Sequence, residues 1–108
     1  MERPLEHTTL LVLSLLSRED MYGYQMIVEL ERRSENLFQM KEGTLYPVLK
    51  KLENAGLIRS YTTEYKGRTR KYYHITEAGL GRLKTEAKEW EDYAHGIGAV
   101  LGTSPVLG

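Results

Sequence analysis

The stretch "LIRSYTTEYKGRTRKYYHIT" (57–76) reads as two strands and a turn. "LIRSYTTEY" (57–65) and "TRKYYHIT" (69–76) are rich in β-branched and aromatic side chains. The short turn "KGR" (66–68) between them holds Gly67, which supplies the positive φ that a tight hairpin turn needs. Lys66, Arg68, Arg70 and Lys71 crowd the turn and the strand after it. Alternation along that second strand puts Arg70 and Tyr72 on one face and Lys71, Tyr73 and Ile75 on the other, with Tyr73 assigned to the core. A cationic hairpin tip is stable in water alone, so the hairpin by itself specifies no partner.

Three helices are predicted before it. "LLVLSLL" (10–16) continues a stripe of Leu5, Val12 and Leu16, with Pro4 in the first turn and an end near Ser17. "SRED" turns the chain, and Asp20 is read as the cap of a second helix that runs to about Arg33, with Met21, Tyr24, Ile27, Val28 and Leu30 facing inward. "RSEN" (33–36) breaks that helix, and "LFQM" (37–40) reads as a stub of strand. Leu45, Val48, Leu49 and Leu52 then recur at helical spacing, and Gly56 stands where a left-handed cap belongs. If Thr44 caps this third helix, Pro47 falls in its first turn at no cost. A start two residues earlier sacrifices one backbone hydrogen bond.

After the hairpin, Thr76 is read as the cap of a last helix. In it Leu80, Leu83, Ala87, Trp90, Ala94, Ile97 and Leu101 alternate three and four residues apart, the pattern of a helix that pairs with another helix. Gly96 and Gly98 are expected to weaken its end. The fold class predicted is mainly α with a β-hairpin: a winged helix-turn-helix over residues 1–76, a C-terminal dimerisation helix over 77–102, and a flexible tail over 103–108.

The chain of 108 residues has 15 basic and 15 acidic side chains and no cysteine, which excludes disulfides and thiolate chemistry. The charge is unevenly spread. Residues 1–40 hold 4 basic and 7 acidic side chains, 41–74 hold 8 and 3, and 75–108 hold 3 and 5. A basic middle third on a neutral body is a footprint for a polyanion. The apolar run at 10–16 is too short to span a bilayer, and the leader "MERPLEH" with its two glutamates is no targeting signal, so a cytoplasmic protein without membrane contact is expected. His7, His74 and His95 lack metal-ligand spacing, and no nucleophile or phosphate-loop motif is present. No catalytic residue, metal or cofactor is therefore expected.

Three helices followed by a two-stranded wing suit duplex DNA: a helix enters the major groove while the wing reaches the backbone or the minor groove. With Leu45, Val48, Leu49 and Leu52 inward, Gly43, Pro47, Lys50 and Asn54 point most outward, flanked by Thr44, Tyr46 and Lys51. Thr44 and Tyr46 offer hydroxyls, Lys50 offers charge, and Lys51 is equally well a solvated lysine. At the wing, Lys66 and Arg68 reach phosphates without burying charge, and Gly67 allows close approach.

"YGYQ" (22–25), "EGTLYPVLKKLENAGLI" (42–58) and "GRTRKYYHITEAG" (67–79) resemble the signature blocks of the PadR family of bacterial transcriptional regulators. The resemblance implies a homodimeric repressor on a palindromic operator, released by a small effector. Carried onto this chain, it places the DNA contacts at Thr44, Tyr46, Lys50, Lys66, Gly67 and Arg68, and sets Tyr22 and Tyr24 on the second helix, one toward the DNA backbone and one packed. Lys41 departs from the pattern, since such sequences often carry a capping Ser or Asn there. A single C-terminal helix resembles the short branch of the family, which includes multidrug-sensing members with a tryptophan on this helix at the dimer interface. Trp90 stands in the corresponding place. Two Trp90 side chains across a twofold axis form a stacking site for a planar aromatic effector; equally, Trp90 is a seam residue that binds nothing. Two readings from other classes remain beside a DNA-binding regulator: a winged-helix module that docks another protein, and a dimer that sequesters a small molecule without a DNA role.

Overall fold

A computed structural model describes residues 6–103. The element order is α1 (Thr8–Leu16), β1 (Met21–Tyr22), α2 (Gly23–Arg33), α3 (Glu42–Asn54), β2 (Ile58–Tyr65), β3 (Arg68–Ile75) and α4 (Glu77–Leu101). The strands form one antiparallel sheet in the order β1-β3-β2. The core gathers Val12, Leu13, Leu15 and Leu16 of α1, Met26 and Leu30 of α2, and Leu45, Leu49 and Leu52 of α3. Met21, Met40, Leu57, Ile58, Tyr73 and Ile75 complete it. Residues 1–5 and 104–108 lie outside the described residues, and with them Pro4, Leu5 and most of the expected tail.

Asp20 does not cap α2. Met21 and Tyr22 are extended because they pair with Tyr73 and Tyr72 of β3, which holds back the helix until Gly23 and buries Met21 completely. A long-range strand pairing here overrides a local capping preference. The buried stripe of α2 also differs from the expected one: Gly23, Met26 and Leu30 face the core, Ile27 is half-buried, and Tyr24 and Val28 are exposed. The expected strand at 37–40 is absent. Those residues run as a loop in which the Ser34 hydroxyl accepts from the Phe38 N–H at 3.0 Å, and Met40 is buried.

Helix α3 starts at Glu42, with Lys41 at its N-cap and no side-chain capping bond. The Lys41 carbonyl accepts from the N–H groups of Thr44 and Leu45, both at 3.0 Å. Pro47 thus lies inside the helix, and the carbonyl of Gly43 forgoes its usual partner. Gly56, at φ 77°, ends the segment in the left-handed region.

The hairpin turn is tighter than the sequence suggests. Tyr65 pairs with Arg68, so only Lys66 and Gly67 form the loop, at φ 50° and 76°. Two successive positive φ values define a type I′ turn, whose twist matches that of the strands it joins. Thr76 caps α4 as expected: its hydroxyl accepts from the Gly79 N–H at 3.1 Å and donates to the Gly56 carbonyl at 2.7 Å. Gly96 and Gly98 do not break α4, which continues to Leu101 before Gly102, at φ 80°, turns the chain. An interior glycine costs about 1 kcal/mol, which a helix of 25 residues absorbs. At 1.5 Å per residue α4 is roughly 37 Å long. It lengthens the molecule to extents of 55 × 33 × 26 Å.

Candidate nucleic-acid interface

Leu45, Leu49 and Leu52 anchor α3 in the core, which leaves Thr44, Tyr46, Pro47, Lys50 and Lys51 exposed on its other side. Tyr46 is 46% exposed, and its ring lies over the first residue of α2. A Cβ on Gly23 would stand 2.7 Å from the Tyr46 hydroxyl oxygen, so a larger residue there would push that ring aside. Tyr46 is therefore half a packing residue and half a surface one, and it joins α3 to the start of α2.

The wing is fastened at its base and free at its tip. The Ser60 hydroxyl donates to Glu53 Oε2 at 2.6 Å, tying β2 to α3. On the opposite face, Asp20 accepts from the Tyr61 hydroxyl at 2.6 Å and from His74 Nδ1 at 2.8 Å. Partial burial by itself would raise the Asp20 carboxyl, but those two hydrogen bonds and the charges of His74 and Arg59 outweigh it and hold the group below its usual value. The same contact raises the Tyr61 phenol. Beyond Ser60, β2 runs on to Tyr65. At about 3.3 Å per residue this carries Lys66, Gly67 and Arg68 roughly 17 Å past the tie to α3. Lys66, Gly67 and Arg68 are all exposed.

The Lys and Arg ion pairs among the described residues avoid this surface. Glu29 pairs with Arg32 and Arg33 on α2, and Arg82 with Glu86 and Lys88 with Asp92 on α4; His74 pairs with Asp20. Each Lys or Arg engaged there belongs to the flanking thirds of the chain. Lys41, Lys50, Lys51, Arg59, Lys66, Arg68, Arg70 and Lys71 form none of these pairs, so the basic middle third keeps its charge for something else.

Helix α4 divides the seam residues. Leu83 packs against the core, and Ala87 and Ala94 are half-buried. Leu80, Trp90, Ile97 and Leu101 are exposed, and so are Tyr93 and Val100 beside them. The Trp90 ring lies tilted against His7, with centroids 5.4 Å apart, and borders a groove of about 810 Å³ between α4, the start of α1 and the loop after α2. Leu10, Leu11, Leu37 and Phe38 line its apolar wall; Glu6, Glu86 and Glu89 bring carboxylates to its rim.

Two features were out of reach of sequence reading. The tie of Asp20 to the wing spans 54 positions to His74, and nothing local announces it. The place of Tyr22 on the sheet depends on the β1–β3 pairing. Alternation does predict that Arg70 and Tyr72 share a face, but not that Tyr22 joins them.

A three-helix body, an antiparallel wing with a cationic tip and a third helix with an exposed polar face define a winged helix-turn-helix domain, here extended by one long helix. Residues 12–85 match the transcriptional regulator PadR-like family. The chain belongs to that family, whose members are regulators and not enzymes. It is 32% identical over 78 residues to a transcriptional regulator of Mycobacterium tuberculosis, covering 72% of this chain and 70% of that one. The solved structure of a transcriptional regulator from Clostridium thermocellum superposes with a TM-score of 0.80 at 34% identity, covering 86% of this chain and 91% of that one. Bacillus subtilis PadR, solved in complex with operator DNA, is similar at a TM-score of 0.68 and 26% identity, over 73% of this chain and 45% of that one.

Proposed function

We propose that this chain is a homodimeric, ligand-responsive repressor that binds a palindromic operator in the cytoplasm. Residues 1–76 form the DNA-reading domain and α4 holds the dimer. The observation that carries the reading is the set of eight Lys and Arg side chains from Lys41 to Lys71 that form no ion pair among the described residues, set on a fold shared with a protein crystallised on its operator. Thr44, Tyr46 and Lys50 serve as the contacts of the recognition helix; Lys66, Gly67 and Arg68 are those of the wing. Twofold symmetry then sets half-sites about one helical turn, roughly 34 Å, apart.

In the dimer, Leu80, Leu83, Ala87, Trp90, Ala94, Ile97 and Leu101 form the α4 seam. Trp90 takes the effector, a planar aromatic molecule stacked on its ring, and Glu6, Glu86 and Glu89 around the groove favour a cationic one. Fluorescence anisotropy with a duplex from upstream of the protein's own gene, at two salt concentrations, tests the DNA reading. Removing Lys66 or Arg68 is expected to lower the slope of log affinity against log salt by about 0.9 each. Binding that ignores salt, or failure on both that duplex and random ones, would shift the wing to a protein-docking role. Trp90 emission, followed with a panel of flat aromatic compounds, tests the effector: a compound that quenches Trp90 and leaves DNA binding unchanged would dissociate the two activities.

A further inference from the structure

The outer face of the wing carries a cation with no part in the contact set above. In the hairpin register Tyr65 stands opposite Arg68, Thr63 opposite Arg70, and Tyr61 opposite Tyr72, all on one face; Tyr22 joins them from β1, paired with Tyr72. The guanidinium carbon of Arg70 lies 4.6 Å from the Tyr22 ring centroid and 4.8 Å from that of Tyr65. One planar cation is thus shared by two rings that come from the strands on either side of β3. Its nearest competitors for a partner are occupied or averted. Asp20 accepts from Tyr61 and His74, and Glu64, opposite Thr69, belongs to the other face of the hairpin.

This arrangement differs in kind from the ion pairs of α2 and α4. Aromatic faces hold a guanidinium by its π surface without neutralising its charge, and they leave its N–H edge available to an acceptor. They also remove rotamer freedom in advance, which lessens the entropy lost on binding. Arg68 lies two residues along on the same face, about 7 Å away at the rise of a strand. That separation is comparable to the distance between successive phosphates on one nucleic-acid strand. A row of two cations at that spacing fits a repeating polyanion better than it fits a single small anion.

We propose that Arg70 is a phosphate clamp for the DNA backbone, held in position by Tyr22 and Tyr65, and that it extends the wing's contact from the Lys66–Gly67 tip down its outer face toward the start of α2. The clamp rests on the DNA-binding reading above. The test compares Arg70→Gln, Arg70→Lys and, as a control, Lys66→Gln by anisotropy over a series of salt concentrations, on a random-sequence duplex and on a selected one. The thermal midpoint of each variant is measured alongside.

Arg70→Gln is expected to lower the salt slope by about 0.9. It is also expected to weaken both duplexes by the same factor, because a phosphate contact carries no sequence information. Arg70→Lys is expected to keep the slope and still lose affinity, because an ammonium has no planar face to lie between the rings. An unchanged slope for Arg70→Gln, beside a lowered one for Lys66→Gln, overturns the clamp and assigns Arg70 to bracing the wing, all the more if the thermal midpoint falls. Loss confined to the selected duplex overturns it too, in favour of base reading. If neither variant alters the slope, the DNA-binding reading itself fails and the clamp fails with it.

Discussion

The body of the molecule and its last helix use the same sequence pattern to opposite ends. In α1, α2 and α3, apolar residues three and four apart are buried: Val12 and Leu16, Met26 and Leu30, Leu45, Leu49 and Leu52 are all closed off from water. In α4 the spacing is just as regular, yet beyond Leu83 its large apolar residues face outward. Ile97 is 43% exposed, Leu101 71% and Val100 89%. Periodicity announces that a helix has an apolar face; it does not say what covers that face. The three-helix body covers its own. Helix α4 reaches past the body, and beyond Trp90 and Tyr93, which border the groove beside α1, its large apolar residues have no cover among the described residues. At about 25 cal/mol per Å² of apolar surface, leaving such a stripe in water forgoes a large stabilisation. In the dimer proposed above, a second copy of α4 would recover it.

The largest expected effect breaks the arm and spares the body. The double variant Ile97→Glu, Leu101→Glu should convert a dimer to a folded monomer, as read by light scattering and circular dichroism. Two half-sites bound by separate monomers lose the gain of linkage, so operator affinity should fall by about 10²–10⁴-fold. Leu49→Ala should do the converse, lowering the stability of each protomer by about 2–5 kcal/mol through a core cavity while leaving α4 able to pair. A charged arm that still gives a dimer on tight operator DNA would sink the seam assignment.

A smaller effect lies at the joint between the two regions. Gly79 enters α4 so close to the end of α3 and the start of β2 that a Cβ there would stand 2.1 Å from the Leu57 carbonyl oxygen. That oxygen also accepts from the Thr76 N–H at 3.0 Å, so it cannot easily retreat. Gly79→Ala is expected to cost about 1–3 kcal/mol and to reorient α4 on the body. Thr76→Ala removes the cap and the link to Gly56 together and is expected to cost about 1 kcal/mol. If the joint sets the angle between the two DNA-reading domains, Gly79→Ala should lower operator affinity by more than its loss of stability accounts for, measured well below the thermal midpoint. Proportionate losses in both would reduce the joint to a stability element.

What was legible in the sequence follows the same division. The hairpin, the wing tip at Gly67, the Thr76 cap and the inward face of α3 are set by local chemistry: alternation, positive φ, a capping hydroxyl, a helical period. These could be read residue by residue. The errors lie where a distant element intervenes. Asp20 has the right side chain for a helix cap, but pairing of Met21 and Tyr22 with β3 takes the backbone into a strand. Tyr24 and Val28 have the right spacing for an inward stripe, but α2 packs on the body through Gly23, Met26 and Leu30 and leaves them outward. At the candidate site, the exposed cations were legible because tips and outward helix faces follow from period alone. The Tyr22–Arg70–Tyr65 stack was not, because it needs β1 on the sheet.

The smallest expected effect concerns how firmly the wing is held to the body, and its sign follows from one contact. The hydrogen bonds from Tyr61 and His74 hold the Asp20 carboxyl below its ordinary 3.8, against the opposing effect of burial. A carboxylate with a depressed folded value contributes its stability in full above 3.8 and loses it as the pH falls through that lower value. The partner behaves in mirror image. Tyr61 titrates above its ordinary 10.0 because its hydroxyl donates to Asp20, so its contribution is complete below 10.0 and is lost as the pH rises through the elevated folded value. Asp20→Asn keeps an oxygen that accepts from Tyr61 but removes the charge behind both shifts. The difference in unfolding stability between the native chain and Asp20→Asn should therefore form a plateau across neutral pH and narrow at both the acid and the alkaline end. A difference that stays constant with pH would mean that the contact merely fills space. Amide hydrogen exchange on β2 and β3 at neutral pH sharpens the point: the variant should open the base of the wing faster and leave α4 unchanged, because the contact belongs to the body and not to the arm.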